Sequence, residues 1–136
     1  MTRAPDIAEW DFIVEAGKVR EFARAVHDDN AEGMAPPTFP VCVTAAYVER
    51  LVVEVLKLDR RRTVHGEQEY EYLRPVRAGD RLRCSARIVE DYVKDGKRGG
   101  RMRFVVCETE MRDVATGDLV VRERATAIET AGAEGA

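Results

Sequence analysis

The stretch TAAYVERLVVEVLKL, residues 44–58, decides the fold. At about 100° per residue, Glu49, Arg50, Glu54 and Lys57 fall within one arc of roughly 140°, and Ala45, Val48, Leu51, Val52, Val55, Leu56 and Leu58 take the remainder. The pattern predicts a helix buried over most of its circumference, about 22 Å long at 1.5 Å per residue, with Val52 and Val55 in the core and Lys57 outside it. The run PPTFP at 36–40 precedes it and is expected to be non-helical, because each proline fixes its own φ and pushes its predecessor out of the α region. A helix this apolar needs a surface to wrap it.

The residues after the helix supply that surface, because their period is two. Over 64–73, His65, Glu67, Glu69 and Glu71 alternate with Val64, Gly66, Gln68, Tyr70 and Tyr72, which sets His65 and the acidic row on one face and the tyrosines on the other. Leu82, Cys84, Ala86 and Ile88 alternate with Arg81, Arg83, Ser85 and Arg87 in a second strand. The turns PVRAGD (75–80), DGKRGG (95–100) and ATGD (115–118) lead into the second strand, a third at 101–113 and a fourth at 119–129. Short turns imply antiparallel neighbours. Upstream, Val19, Phe22, Ala23 and Val26 mark an amphipathic helix over 18–26 that stops in His27-Asp28-Asp29-Asn30, after a lead holding Trp10 and Phe12 to which no element is assigned. Gly33 and the prolines keep the next stretch irregular, and a loop of that length in a small domain is functional or mobile.

One apolar helix followed by an antiparallel meander is an α+β arrangement in which the sheet curls round the helix, as in the hot-dog fold. No internal repeat or linker interrupts the chain, so residues 1–136 read as one domain with a frayed tail at about 130–136. An exposed sheet edge predicts a dimer that continues the sheet.

Composition narrows the function. A net charge of −3 gives no global attraction to nucleic acid or anionic lipid, so neither is an expected partner. Cys42, Cys84 and Cys107 are an odd set without CxxC or Cys/His spacing, which argues for reduced thiols and against a disulfide framework or a metal site. The amino terminus lacks the apolar core of a signal peptide, and no apolar run reaches the roughly 18 to 20 residues of a membrane span. A cytoplasmic protein is expected.

Three stretches carry a resemblance: EAGKVREFARAVHDDN, MAPPTFPVCV running into the helix, and HGEQEYEYLRPVRAGDRLRC. Together they resemble the amino-terminal-type half of MaoC-like dehydratases, and within that family the non-catalytic A or C subunit type of mycobacterial (3R)-hydroxyacyl-carrier-protein dehydratase. The likeness spans roughly residues 12–128, and APPTFP with RPVRAGD at this separation is more specific than either alone. It implies a hot-dog fold, a homodimer or a heterodimer with a catalytic subunit, a thioester substrate on coenzyme A or acyl carrier protein, and no cofactor.

Catalytic members of the family use an Asp and a His five positions later in a loop of the form GDxNPxH. Asp28 and Asn30 match its Asp and Asn, while His27 stands for the Gly, Ala31 for the Pro and Gly33 for the His. Reversible dehydration of a 3-hydroxyacyl thioester needs one group to remove the α proton and one to protonate the departing hydroxyl, and glycine does neither. The family's His-Gly pair before the central helix is also replaced, by 39–43, although a helix amino terminus still offers N–H groups.

Each candidate has a plain reading beside a functional one. Asp28 and Asn30 either terminate a helix or stand at an active-site mouth. His65 and Glu67 are either part of a solvated polar row or a proton-transfer pair, the latter implying a self-sufficient hydratase. Arg60-Arg61-Arg62 either complement the helix macrodipole or grip the phosphates of coenzyme A or the acidic face of a carrier. Pro37, Phe39, Val41 and Tyr47 are either core or the lining of an acyl channel. Glu49 and Glu54, on the charged arc, keep open the helix-carboxylate chemistry of hot-dog thioesterases, and a silent acyl-binding protein is the remaining alternative.

Overall fold

The computed structural model describes residues 6–29 and 33–131. Five strands, β1 (Ala8–Ile13), β2 (Thr63–Tyr72), β3 (Arg81–Asp95), β4 (Arg101–Asp113) and β5 (Leu119–Glu129), form one antiparallel sheet in the spatial order β1-β3-β4-β5-β2. Two helices, α1 (Ala16–Ala25) and α2 (Pro40–Arg50), precede β2, and α2 continues into a π-helical turn at Leu51–Val55. The sheet with one central helix is the α+β architecture expected from the sequence, and the third and fourth predicted strands, now β4 and β5, keep their predicted bounds. The core is built from β1 (Trp10), the helices (Val19, Val43, Leu51), Phe39 and the inner sheet face (Leu82, Cys84, Met111, Val121).

The lead, to which the sequence assigned no element, is a strand. In β1, Trp10 is buried while Glu9 and Asp11 are exposed, and the strand pairs with β3 through Trp10↔Cys84. The indole N–H donates to the Val43 carbonyl at 3.2 Å, and the ring stacks on Tyr47 at 4.0 Å. Those contacts tie this edge of the sheet to α2.

The central helix departs from its predicted frame in two ways. It begins at Pro40, ahead of 44, because proline at the first helical position loses no hydrogen bond. It is also not buried over most of its circumference. Val41 and Val53 are exposed, and Val55 is 55% exposed with Val52 only half-buried, so the placement of Val55 in the core is corrected. For the residues beyond Leu51 the cause is the π turn. The Leu56 amide bonds the Leu51 carbonyl at 2.9 Å, which inserts one residue and rotates the positions after it by about 100°. Leu51 and Leu58 reach the core, and Lys57 is exposed as expected.

A second irregularity changes β2. Its register to β5 runs His65↔Ala127 and then Glu67↔Thr126, so Gly66 is the extra residue of a bulge. His65 and Glu67 therefore face opposite sides of the sheet, and the predicted pair on one face is not formed. The acidic row survives as Glu67, Glu69 and Glu71, opposite Gln68, Tyr70 and Tyr72.

Cys84 and Cys107 are buried, Cys42 is partly so, and all three are free thiols. Burial pushes Cys84 up to about 12 and Cys107 up to about 11. Among the described residues, no helix is long and apolar enough to cross a membrane and no cluster has the makings of a metal site. Thr130 bonds the Arg62 carbonyl through its amide at 2.8 Å, so the chain is tied to the sheet at the first residue of the expected tail.

Candidate functional site

The site begins where α1 ends. The His27 amide bonds the Arg24 carbonyl and the Asp28 amide bonds the Ala23 carbonyl, the paired bonds of a Schellman cap, with His27 in the left-handed region at φ 56°. Asp28 thus leaves the helix at a fixed angle, half-buried. Asn30 and Ala31 lie outside the described residues.

The chain is then pinned by the RPVRAGD segment. Gly33 accepts from the Ala78 amide at 2.7 Å, Met34 bridges Arg77, and the Ala35 amide bonds the Val76 carbonyl at 2.8 Å. The two motifs thus hold each other. Gly33 itself has φ 73°, and a Cβ placed there would meet nothing within 4 Å. Space for a side chain exists, but the backbone is in a conformation that side chains adopt at a cost.

Between these segments lies a pocket of about 570 Å³ whose lining includes Asp28, Met34, Pro37, Tyr72, Leu73 and Arg74. The Tyr72 hydroxyl donates to the Pro37 carbonyl at 2.5 Å, and burial raises its pKa. Arg74 is spoken for by Asp80 at 2.8 Å and Asp113 at 2.9 Å. The pocket therefore has a carboxylate, a phenol and an apolar wall. The first amides of α2 do not add the free donors expected from sequence, because Val41 bonds the Thr38 carbonyl and Cys42 bonds the Phe39 carbonyl.

The sequence reading missed a second polar group, Glu123. It stands on the inward face of β5 between Val121 and Ala125, 2% exposed, with the Thr44 hydroxyl at 3.3 Å and the Gln68 side chain bonded to it. Burial pushes its carboxyl up to about 7. An acid at an inward position of an alternating strand was the available signal. Glu123 and His65 line the same small cavity of about 30 Å³ under α2, with Val48, Leu51, Val52 and Cys107 among its walls. The bulge at Gly66 thus puts His65 on the face of the sheet that carries Glu123, opposite to Glu67.

The remaining candidates scatter. Phe39 is wholly buried, edge-on to Phe12 and Phe22, and Val41 is exposed. Tyr47 packs on Trp10, and Pro37 reaches the Asp28 pocket. Glu54 pairs with Arg50 at 3.0 Å on the surface. The side chain of Glu49 is outside what is described. Arg60–Arg62 form a short 3-10 turn in which Arg61 and Arg62 bond Asp59, and Arg62 also bonds the Thr130 carbonyl at 2.6 Å. The Arg61 side chain is nonetheless 89% exposed.

On the outer sheet face Glu108 and Glu110 are buried under arginines. Glu108 bonds Arg87 and, at 2.9 Å, Arg124, and Glu110 bonds Arg87 and Arg112, both at 2.7 Å. Among the described residues, this closed network leaves no buried charge unpaired.

A family model described as FAS1-like, dehydratase domain region, matches residues 4–123. The UPF0336 protein of Clavibacter michiganensis is 38% identical over 133 residues, covering 82% of this chain and 86% of that protein. The UPF0336 protein of Streptomyces avermitilis is 42% identical over 86 residues, 52% of this chain, and the match spans only 57% of that relative's length. Among solved structures, the truncated HadBC (3R)-hydroxyacyl-ACP dehydratase complex of Mycobacterium tuberculosis contains a chain of 26% identity and TM-score 0.67. The match covers 93% of this chain and 98% of that one.

Proposed function

This chain belongs to the FAS1-like dehydratase domain family, with the MaoC-like hot-dog fold, and from that premise we propose that it is one subunit of a (3R)-hydroxyacyl-thioester dehydratase or enoyl hydratase. In this reading it binds the acyl thioester, on coenzyme A or acyl carrier protein, while a partner subunit supplies the catalytic histidine. The observation that carries the proposal is Gly33. In this reading it takes the family's histidine position; its backbone is left-handed, and the next residue, Met34, lines the same pocket as Asp28 and Tyr72.

A partner is favoured by the sheet. Its β1 edge is six residues long and carries Glu9 and Asp11, whereas β2 offers ten residues at the other edge. Exposed Val53 on the helix accompanies that edge, lining one groove with Arg60 and Thr63. In this reading, edge-to-edge pairing of β2 with its counterpart in a second hot-dog subunit covers the open backbone beside Val53. The proposed chain acts in the cytoplasm, in metabolism of the fatty-acid type.

The test is hydration of a trans-2-enoyl coenzyme A by the purified chain, followed by loss of the enoyl absorbance. A missing general acid or base costs about 10² to 10⁴ in rate, so the lone chain should sit near background while still binding the thioester. Rapid turnover abolished by His65→Ala would refute the proposal, and release of free thiol from an acyl coenzyme A would replace it with a thioesterase.

A further inference from the structure

We propose that the groove beneath the β3–β4 hairpin is a binding site for a single-tailed carboxylate, the anion of a medium-chain fatty acid. The groove shares no lining residue with the Asp28 pocket, and the inference does not depend on the dehydratase reading.

The floor is apolar because of the register. Tyr92 stands opposite Phe104, and Lys94 opposite Met102, which puts all four on one face of the sheet, with the two rings stacked at 5.0 Å. Met102, Phe104 and, beyond β5, Ala131 are half-buried and line the groove. The rim is cationic because of the turn. The Gly99 amide bonds the Gly96 carbonyl at 3.1 Å, so Lys97 and Arg98 are the central residues of a β-turn. A Cβ on Gly100 would come within 2.5 Å of the Ala131 Cβ, and one on Gly96 within 3.2 Å of the Met102 sulfur. Glycine at both positions thus lets the turn lie down on the floor.

Lys94, Lys97 and Arg98 all line the groove, and none has an ion-pair partner among the described residues. A solvated turn tip accounts for Lys97 and Arg98 alone, but not for the glycines that bring the turn onto an apolar surface. The groove encloses about 580 Å³, the size of a small-molecule site. Three unneutralised cations above an apolar floor fit a ligand with one anionic end and a hydrocarbon tail. Burial of the tail supplies the affinity, Met102 adapts to its shape, and the charges fix which end meets the turn. Asp95 also lines the groove and sets the kind of anion, because it repels a dianionic phosphate more strongly than a monoanionic carboxylate.

The test is calorimetric titration of the chain with decanoate below its micellar concentration, beside decanol and acetate. Decanoate should bind at least about tenfold more tightly than either, because it alone has both ends. Lys97→Ala with Arg98→Ala changes only exposed side chains, so it should leave the thermal midpoint in place while weakening decanoate about tenfold. Met102→Ala should weaken decanoate as well, through the floor. Met34→Trp, which fills the Asp28 pocket, should leave decanoate affinity unchanged. Decanoate binding that is lost in Met34→Trp and kept in the turn variant overturns the inference by moving the fatty acid to the thioester pocket, and leaves the dehydratase reading standing. Equal affinity for decanol removes the role of the cations, equal affinity for acetate removes that of the floor, and no measurable binding of decanoate removes the site; each of these also overturns it.

Discussion

Glu123 is the residue whose environment makes the sharpest claim, because a carboxyl 2% exposed beneath α2 is pushed up to about 7. The folded state holds this proton more tightly than the unfolded chain, in which a glutamic acid titrates near 4.5. Its contribution is therefore fully present below about pH 4.5 and is lost as pH rises to about 7, a change of about 3 kcal/mol. Urea midpoints measured from pH 4.5 to 8 should fall across that window in the wild type and stay level in Glu123→Gln. Gly33 makes a second claim at this scale. Restoring the family's side chain with Gly33→His should cost about 1 kcal/mol in chemical denaturation, since the backbone there is left-handed, and should not by itself give a fast hydratase. The resemblance sets Gly33 against the family's histidine, a correspondence that remains a proposal, and its φ of 73° was not legible in the sequence. Glu123 was passed over because its neighbours Arg122 and Arg124 make the strand read as solvated, although both arginines point the other way.

The elements show where periodicity succeeds and where it fails. β4 and β5 were readable to their ends because glycine-rich turns interrupt clean alternation, at 95–100 and 115–118. α2 was readable as an element but not in its rotation. A π turn has no reliable sequence mark, and one inserted residue moved Val55 from the core to 55% exposure. β1 was lost because six residues with only two large apolar side chains, Trp10 and Phe12, give little to recognise without their partner β3. In β2 the two-residue spacing of His65 and Glu67 was misleading for the same reason as in α2, an extra residue at Gly66. That bulge can be tested by packing. A Cβ on Gly66 would approach Ile128 Cδ1 to 2.5 Å, so Gly66→Ala should destabilise by about 1 to 3 kcal/mol. Much of that loss should vanish in an Ile128→Ala background, a coupling that a double-mutant cycle in urea would measure. Additive effects would mean that Gly66 is required for its backbone alone.

At the scale of the whole molecule, the faces of the sheet have different tasks. The inner face packs against α2, and the outer face closes its own charges through Arg87, Glu108, Glu110 and Arg124, which leaves the two edges, β1 and the longer β2, of which β2 is the one proposed above to take a partner. Composition and pattern made the α+β class legible. Which strands lie at the edges depends on the strand order, which no single strand encodes. The same asymmetry runs through the account of function, in which an incomplete loop and an open edge belong to one subunit of a larger enzyme. The direct measurement is reconstitution: this chain is co-expressed with a small hot-dog subunit carrying an intact GDxNPxH loop, and hydration of a trans-2-enoyl thioester is compared with that of each chain alone. The account predicts a co-purifying complex that turns over at least about 10²-fold faster than this chain by itself and loses that activity when the partner's loop histidine is replaced. Full activity from this chain alone, unchanged by the partner, would contradict it.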